Sequence, residues 1–230
     1  MTTDQARQRL WTWLSPAFPV GAYTYSQGLE YAVEVGLVAD AEGLGRWIAG
    51  VLDFGCLRGQ ALFFVQAWRA AQARDLAGLL AIAELADALR PTAELGLESA
   101  AQGQAFLAAL GQVWPRDFLT AWAEALARMD RPAPHAVVVA LAAALEGVAL
   151  AEALLLFLQA QAANLVSAGV RLIPLGQTAG LRLLAGLEPA LRQARDAALA
   201  ADPADWGSAG LVAEWASLRH ETQYTRLFRS

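Results

Sequence analysis

An all-α fold, one compact multi-helix bundle of about eight to ten helices spanning residues 1–230, is predicted by three observations. Helix formers, alanine and leucine above all, dominate the chain, and its one β-branched run, at 137–139, is enclosed by them. Proline and glycine recur at spacings that cut the sequence into helix-length pieces. No repeat of solenoid length and no low-complexity linker divides it.

Taken in order, a first helix over residues 5–14 must stop before Pro16, because proline pushes its predecessor out of the helical region. Residues 15–23, SPAFPVGAY, read as an extended loop. Thr24 with Gln27 three positions on reads as a capping box that opens a helix to about residue 38. Further helices are predicted over 41–74, with a break near Gly55 or Gly59, and over 76–89 and 92–110. Pro91 stands at the last junction and Pro115 opens a helix to about residue 129, both places where the missing N–H costs nothing. RPAPH at 131–135 is a rigid loop, followed by two helices divided at Gly147. Pro174 ends the second; one helix follows, then a break at ADPADWG, then a last helix with Leu211, Trp215 and Leu218.

Composition narrows the function. The chain is 57 % hydrophobic and 17 % charged, with a mean hydropathy of +0.35, so membrane insertion needs testing. The most apolar stretch, 136–158, contains Glu146 and Glu152 and is interrupted by Gly147. An acidic side chain at the centre of a span costs about 2.5–3.5 kcal/mol, so the stretch reads as two helices buried in protein, and no membrane is expected. No secretory signal is expected in residues 1–21, since Asp4, Arg7 and Arg9 fall where its apolar stretch would lie. With a single cysteine, Cys56, the expected location is the reducing cytoplasm. Net charge is −5, yet the last fourteen residues carry three arginines against one glutamate. An acidic body with a basic terminus suits a protein partner; nucleic acid would need a broad basic face.

Catalytic and metal patterns fail on spacing. His220-Glu221 begins like HExxH, but Tyr224 stands at the second ligand position. GQTAG at 176–180 has three residues between its glycines where a P-loop needs four, and no Lys-Ser or Lys-Thr follows. Pro132 and Ser217 precede His135 and His220 by three positions, so no Glu-x-x-His pair exists. Glu84 and Asp87 read as a solvated face. No enzyme and no cofactor is expected. His135, His220 and Cys56 are the only imidazole and thiol donors, too few for tight metal binding.

Three polar-aromatic stretches interrupt the Ala/Leu monotony. The first, SPAFPVGAYTYSQGLE, holds Pro19, Gly21, Tyr23, Tyr25, Ser26, Gln27 and Glu30. NLVSAGVRLIPLGQTAG holds Asn164, Arg171, Gly176 and Gln177, and the terminal RHETQYTRLFRS holds Arg219, His220, Glu221, Gln223, Tyr224, Arg226, Leu227, Phe228 and Arg229. Tyrosine and arginine are enriched at interaction hot spots, and a frayed end gains nothing from large apolar residues. Residues 219–230 therefore read as a tail whose apolar groups await a partner.

These three stretches, in this order and at these separations, resemble the urease accessory protein UreF family, and PTAELGLESAAQGQAFL (91–107) and PAPHAVVVALAAALEGV (132–148) extend the likeness over nearly the whole chain. Family members often carry arginine where this chain has Ala93 and Gln104. The resemblance implies an all-helical, non-enzymatic homodimer that binds UreD (also called UreH) and recruits the GTPase UreG to apo-urease. There GTP hydrolysis, with GTP held by UreG, is coupled to nickel insertion, and His135, His220 and Cys56 would make transient nickel contacts at most. It also implies that the tail orders on meeting UreD, with Tyr224, Leu227 and Phe228 as anchors and Arg219, Arg226 and Arg229 paired to the partner. Alternatives are a helical adaptor of another complex and an all-α enzyme with an unrecognised pocket.

Overall fold

The computed structural model describes residues 3–202 and 204–230. Among them lie twelve α-helices: α1 (Thr3–Trp13), α2 (Leu29–Glu34), α3 (Ala41–Asp53), α4 (Cys56–Gln72), α5 (Leu76–Ala88), α6 (Ala93–Val113), α7 (Asp117–Arg128), α8 (His135–Leu145), α9 (Leu150–Leu172), α10 (Gln177–Gly186), α11 (Glu188–Ala200) and α12 (Leu211–His220). A 3-10 turn, Ala22–Thr24, precedes α2, and the described residues contain no strand.

The count exceeds the predicted eight to ten because two long pieces are divided. The 41–74 stretch breaks at Gly55, as the sequence allowed. The single helix expected after Pro174 is two, since Leu187 leaves α10 and enters α11, with Pro189 in the first turn of the latter. Proline in that place starts a helix without breaking one. Side-chain caps fall where the sequence offers them: Asp40 accepts from Gly43 N, Asp75 from Gly78 N and Thr92 from Leu95 N.

α8 forms the centre. Every residue from His135 to Ala144 is buried, so this helix has no polar face, which is what a helix surrounded by others requires. α4 and α6 pack along it, and α5 and α9 complete its surround. α6 comes closest where Gly103 faces the loop before α8: a Cβ there would lie 1.8 Å from the Ala133 carbonyl oxygen. The buried apolar cluster runs from Ala6 to Phe228.

The acidic residues that argued against a membrane span are ion-paired. Glu146 accepts from Arg9 and Arg116, each at 2.6 Å, and Glu152 from Arg7 at 2.8 Å. Two stretches, Ala41–Gln72 and Leu150–Leu172, are long and apolar enough to cross a bilayer, but 61 % and 56 % respectively of their 18-residue apolar windows is buried within the protein, as in core helices.

Candidate functional site

The first and third polar stretches meet at one end of the bundle, where α2 and α12 lie side by side. Two consecutive left-handed residues, Gln27 (φ 55°) and Gly28 (φ 80°), turn the chain into α2. Gly28 also permits the crossing, since a Cβ there would stand 2.6 Å from Ser217 N of α12. The expected capping box is therefore absent. Thr24 donates instead to the Gly21 carbonyl, and the Gln27 side chain is drawn inward to Glu98.

Three carboxylates organise the end. Glu30, on α2, accepts from Leu227 N at 2.6 Å, Phe228 N at 2.9 Å and His220 Nε2 at 3.1 Å. Glu94, on α6, faces His220 Nδ1 at 2.7 Å and accepts from Arg226 Nη1 at 2.7 Å. Glu98, one turn further along α6, accepts from Gln27 Nε2 (2.9 Å), Gln102 Nε2 (3.0 Å) and Ser230 Oγ (2.8 Å). Burial nonetheless holds its pKa above the ordinary carboxylate value, these hydrogen bonds and Arg90 offsetting part of the shift. Cys56 donates to Gln27 Oε1, and burial with the nearby Glu98 charge pushes its thiol up to about 12, so it remains protonated at neutral pH.

The tail is thus docked on its own body, contrary to the expectation that it stands uncovered. Phe228 and Ser230 are buried. Ser26 N donates to the Ser230 carbonyl oxygen at 2.7 Å and Arg229 N to the Thr24 carbonyl at 2.8 Å. The guanidinium of Arg171 lies 4.3 Å over the Phe228 ring while donating to the Tyr23 carbonyl at 2.7 Å. The reason is electrostatic. Buried carboxylates need donors, and the tail supplies backbone N–H groups, a hydroxyl, an imidazole and Arg226. Phe228 is consequently an internal anchor, and Arg226 is paired within the chain.

Several tail groups still face outward. Tyr224 is fully exposed and Leu227 66 % exposed, and on α12 Leu211, Val212, Trp215 and Leu218 are also exposed. Tyr31 packs its ring edge-on to Trp215 at 5.4 Å, and Arg219 Nε donates to its hydroxyl at 3.4 Å. Arg229 is exposed, Glu221 accepts from Ala93 N, and Gln223 donates to Glu34. In the first stretch, Tyr25 and Ser26 are buried, Pro19 and Tyr23 exposed, and Gly21 (φ 69°) starts the 3-10 turn, whose Ala22 carbonyl accepts from Asn164. Gly176 and Gln177 open α10, both exposed, with no hydrogen bond to this cluster.

The three candidate nickel contacts do not converge. His135 is enclosed by the rings of Phe106 and Phe157, whereas His220 is held between its two glutamates. Among the described residues no group of three His, Cys, Asp or Glu side chains could hold a metal ion. The sequence reading missed Glu94, Glu98 and Gln102. Their i, i+4, i+8 spacing inside an alanine-rich helix was the available signal, because it marks a polar stripe on one helix face.

Fold and cluster define an all-helical protein whose buried polar groups hold its own terminus and whose last helix and following strap expose aromatic and aliphatic side chains. The chain belongs to the UreF family, whose model matches residues 38–188. It is 47 % identical over 234 residues to "Urease accessory protein UreF" of Magnetococcus marinus, with 100 % of both chains covered. A protein of that name from Rhodopseudomonas palustris is 50 % identical over 222 residues, covering 96 % of this chain and 92 % of its own. One from Granulibacter bethesdensis is 48 % identical over 229 residues, covering 100 % and 96 % respectively.

Proposed function

We propose that the chain is a non-catalytic accessory protein of urease maturation, which binds UreD and recruits the GTPase UreG to apo-urease so that GTP hydrolysis drives nickel delivery. The observation that carries this reading is end-to-end identity of 47–50 % to proteins named urease accessory protein UreF. The surface supports it: Trp215, Leu218, Tyr224 and Leu227 are exposed on α12 and the strap, and Arg219 lies over the ring of Tyr31, which packs on Trp215, the residue types of an interaction hot spot. Docking of the tail refines the role expected of it. The strap is already ordered, so its outward side chains meet UreD without the cost of ordering a free chain, about 1–2 kcal/mol per residue. Nickel is cargo that passes through the assembly, GTP resides on UreG, the chain works as a homodimer, and the setting is the cytoplasm.

Co-purification with UreD and UreG, followed by nickel-dependent activation of apo-urease, tests the whole reading. Capture of both partners and restored urease activity are expected; a well-folded chain that captures neither overturns it. The double substitution Trp215→Ser with Leu227→Ser tests the surface. It should lower UreD affinity at least tenfold with an unchanged circular dichroism spectrum, because truncating hot-spot side chains costs about 2 kcal/mol or more each.

A further inference from the structure

Deep to the cluster, a small cavity of ≈ 10 Å³ lies among α4, α6, α8 and α9, and six of its seven lining residues are polar: Gln60, Glu98, Ser99, Gln102, His135 and Gln161. All six are at least nine-tenths buried. Glu98 and Gln102 bond each other, and Ser99 Oγ accepts from His135 N at 3.3 Å. The amides of Gln60 and Gln161 and the His135 ring make no hydrogen bond to any described residue. A second cavity of ≈ 20 Å³ shares Gln60 and Leu95 with the first and is bordered by Cys56, Arg90 and Ser208. The Arg90 guanidinium likewise has no hydrogen-bonded or ion-paired partner among the described residues.

Amides and a half-buried guanidinium that line such spaces without a protein partner are costly if left unsatisfied, and native structures supply water where protein provides no partner. A water needs about 10–15 Å³ of such space and two to four polar neighbours. The inner cavity has room for one, and the outer for one or two. A metal ion is a poorer occupant, since the inner cavity offers a single imidazole and a single carboxylate. An apolar occupant would leave the amides unsatisfied.

We infer that these cavities hold a short file of permanently bound internal waters, which link Arg90 through Gln60 to Gln161 and His135 beneath the tail socket. The waters are structural ligands of the bundle. They satisfy a polar seam beside the apolar α8, and they back Glu98, the carboxylate that holds Ser230.

Water-to-amide dipolar cross-peaks in the 15N-labelled full chain test this directly. Long-lived cross-peaks to the Nε2 hydrogens of Gln60 and Gln161 are expected; their absence overturns the inference. Thermal unfolding of Gln60→Met gives an independent sign. If the seam is wet, removal of the bridging amide should lower Tm by about 2–10 °C, whereas a rise in Tm would show a dry cavity relieved of an unsatisfied group. Should that variant not fold, Gln161→Leu provides the same test. Stoichiometric Ni²⁺ binding to the wild-type chain that is lost in His135→Gln would also overturn the assignment.

Discussion

Glu30 serves three donors at once, two of them tail amides and the third an imidazole. Its replacement by alanine strands all three in a buried setting, so Glu30→Ala should cost about 2–4 kcal/mol in urea unfolding. The amides of Leu227 and Phe228 should then exchange with solvent much faster than in the parent. Gly28 is constrained twice, by its φ of 80° and by the 2.6 Å approach to Ser217 N. Gly28→Ala should therefore destabilise by roughly 2 kcal/mol or more, measured the same way. At this scale the sequence was only partly legible. It drew attention to Gln27, Glu30 and the tail arginines as unusual, because they interrupt an apolar background. It concealed their pairing, since Ser26 and Ser230 are 204 positions apart, and nothing local to either specifies the other.

At the scale of elements, helices with strong terminal punctuation were readable. Pro91 and Thr92 before α6, Gly55 between α3 and α4, and Pro174 after α9 each act through local backbone geometry. The Thr24–Gln27 box misled because a tertiary hydrogen bond to Glu98 outweighs a local cap. The division at Leu187 was missed although Gly186 before it and Pro189 after it are the stop and start signals of two adjoining helices. The tail was legible as an anchor and illegible as to what it anchors to: composition identifies a buried aromatic, and only topology says whether the burial is within the chain. Deletion of residues 222–230 should thus remove Phe228 from the core and partners from Glu30, Glu94, Glu98 and Ser26, and lower Tm by several degrees. Tyr224→Ser, at a fully exposed position, should change unfolding free energy by no more than about 0.5 kcal/mol. Its effect belongs to UreD capture.

For the whole molecule, stability depends on groups held away from their ordinary protonation. Burial, with Arg90 adding to it, lowers the His135 pKa from 6.5 to about 4. As pH falls below 6.5 the unfolded chain takes a proton that the folded one refuses until about pH 4. The stability His135 contributes is complete above 6.5 and declines towards 4, by about 3 kcal/mol at most. Glu98 acts in the opposite sense. Its raised pKa favours the folded state while the carboxyl is protonated, and that contribution fades as pH rises through the folded value. Urea unfolding at pH 7 and pH 5 should show a smaller loss in His135→Gln than in the parent, and the difference between the two slopes is the histidine's share.

The α8 helix, apolar after His135, has a consequence for handling the protein. Its chief neighbours, α4 and α6, precede it in the chain, so during synthesis a groove exists to receive it as it emerges. Recovery from denaturant offers no such order: every molecule in the tube presents its own eleven-residue greasy cylinder at the same moment. Yield on dilution should therefore fall steeply with protein concentration, while expression at low temperature, with synthesis proceeding from one end, should keep the product soluble.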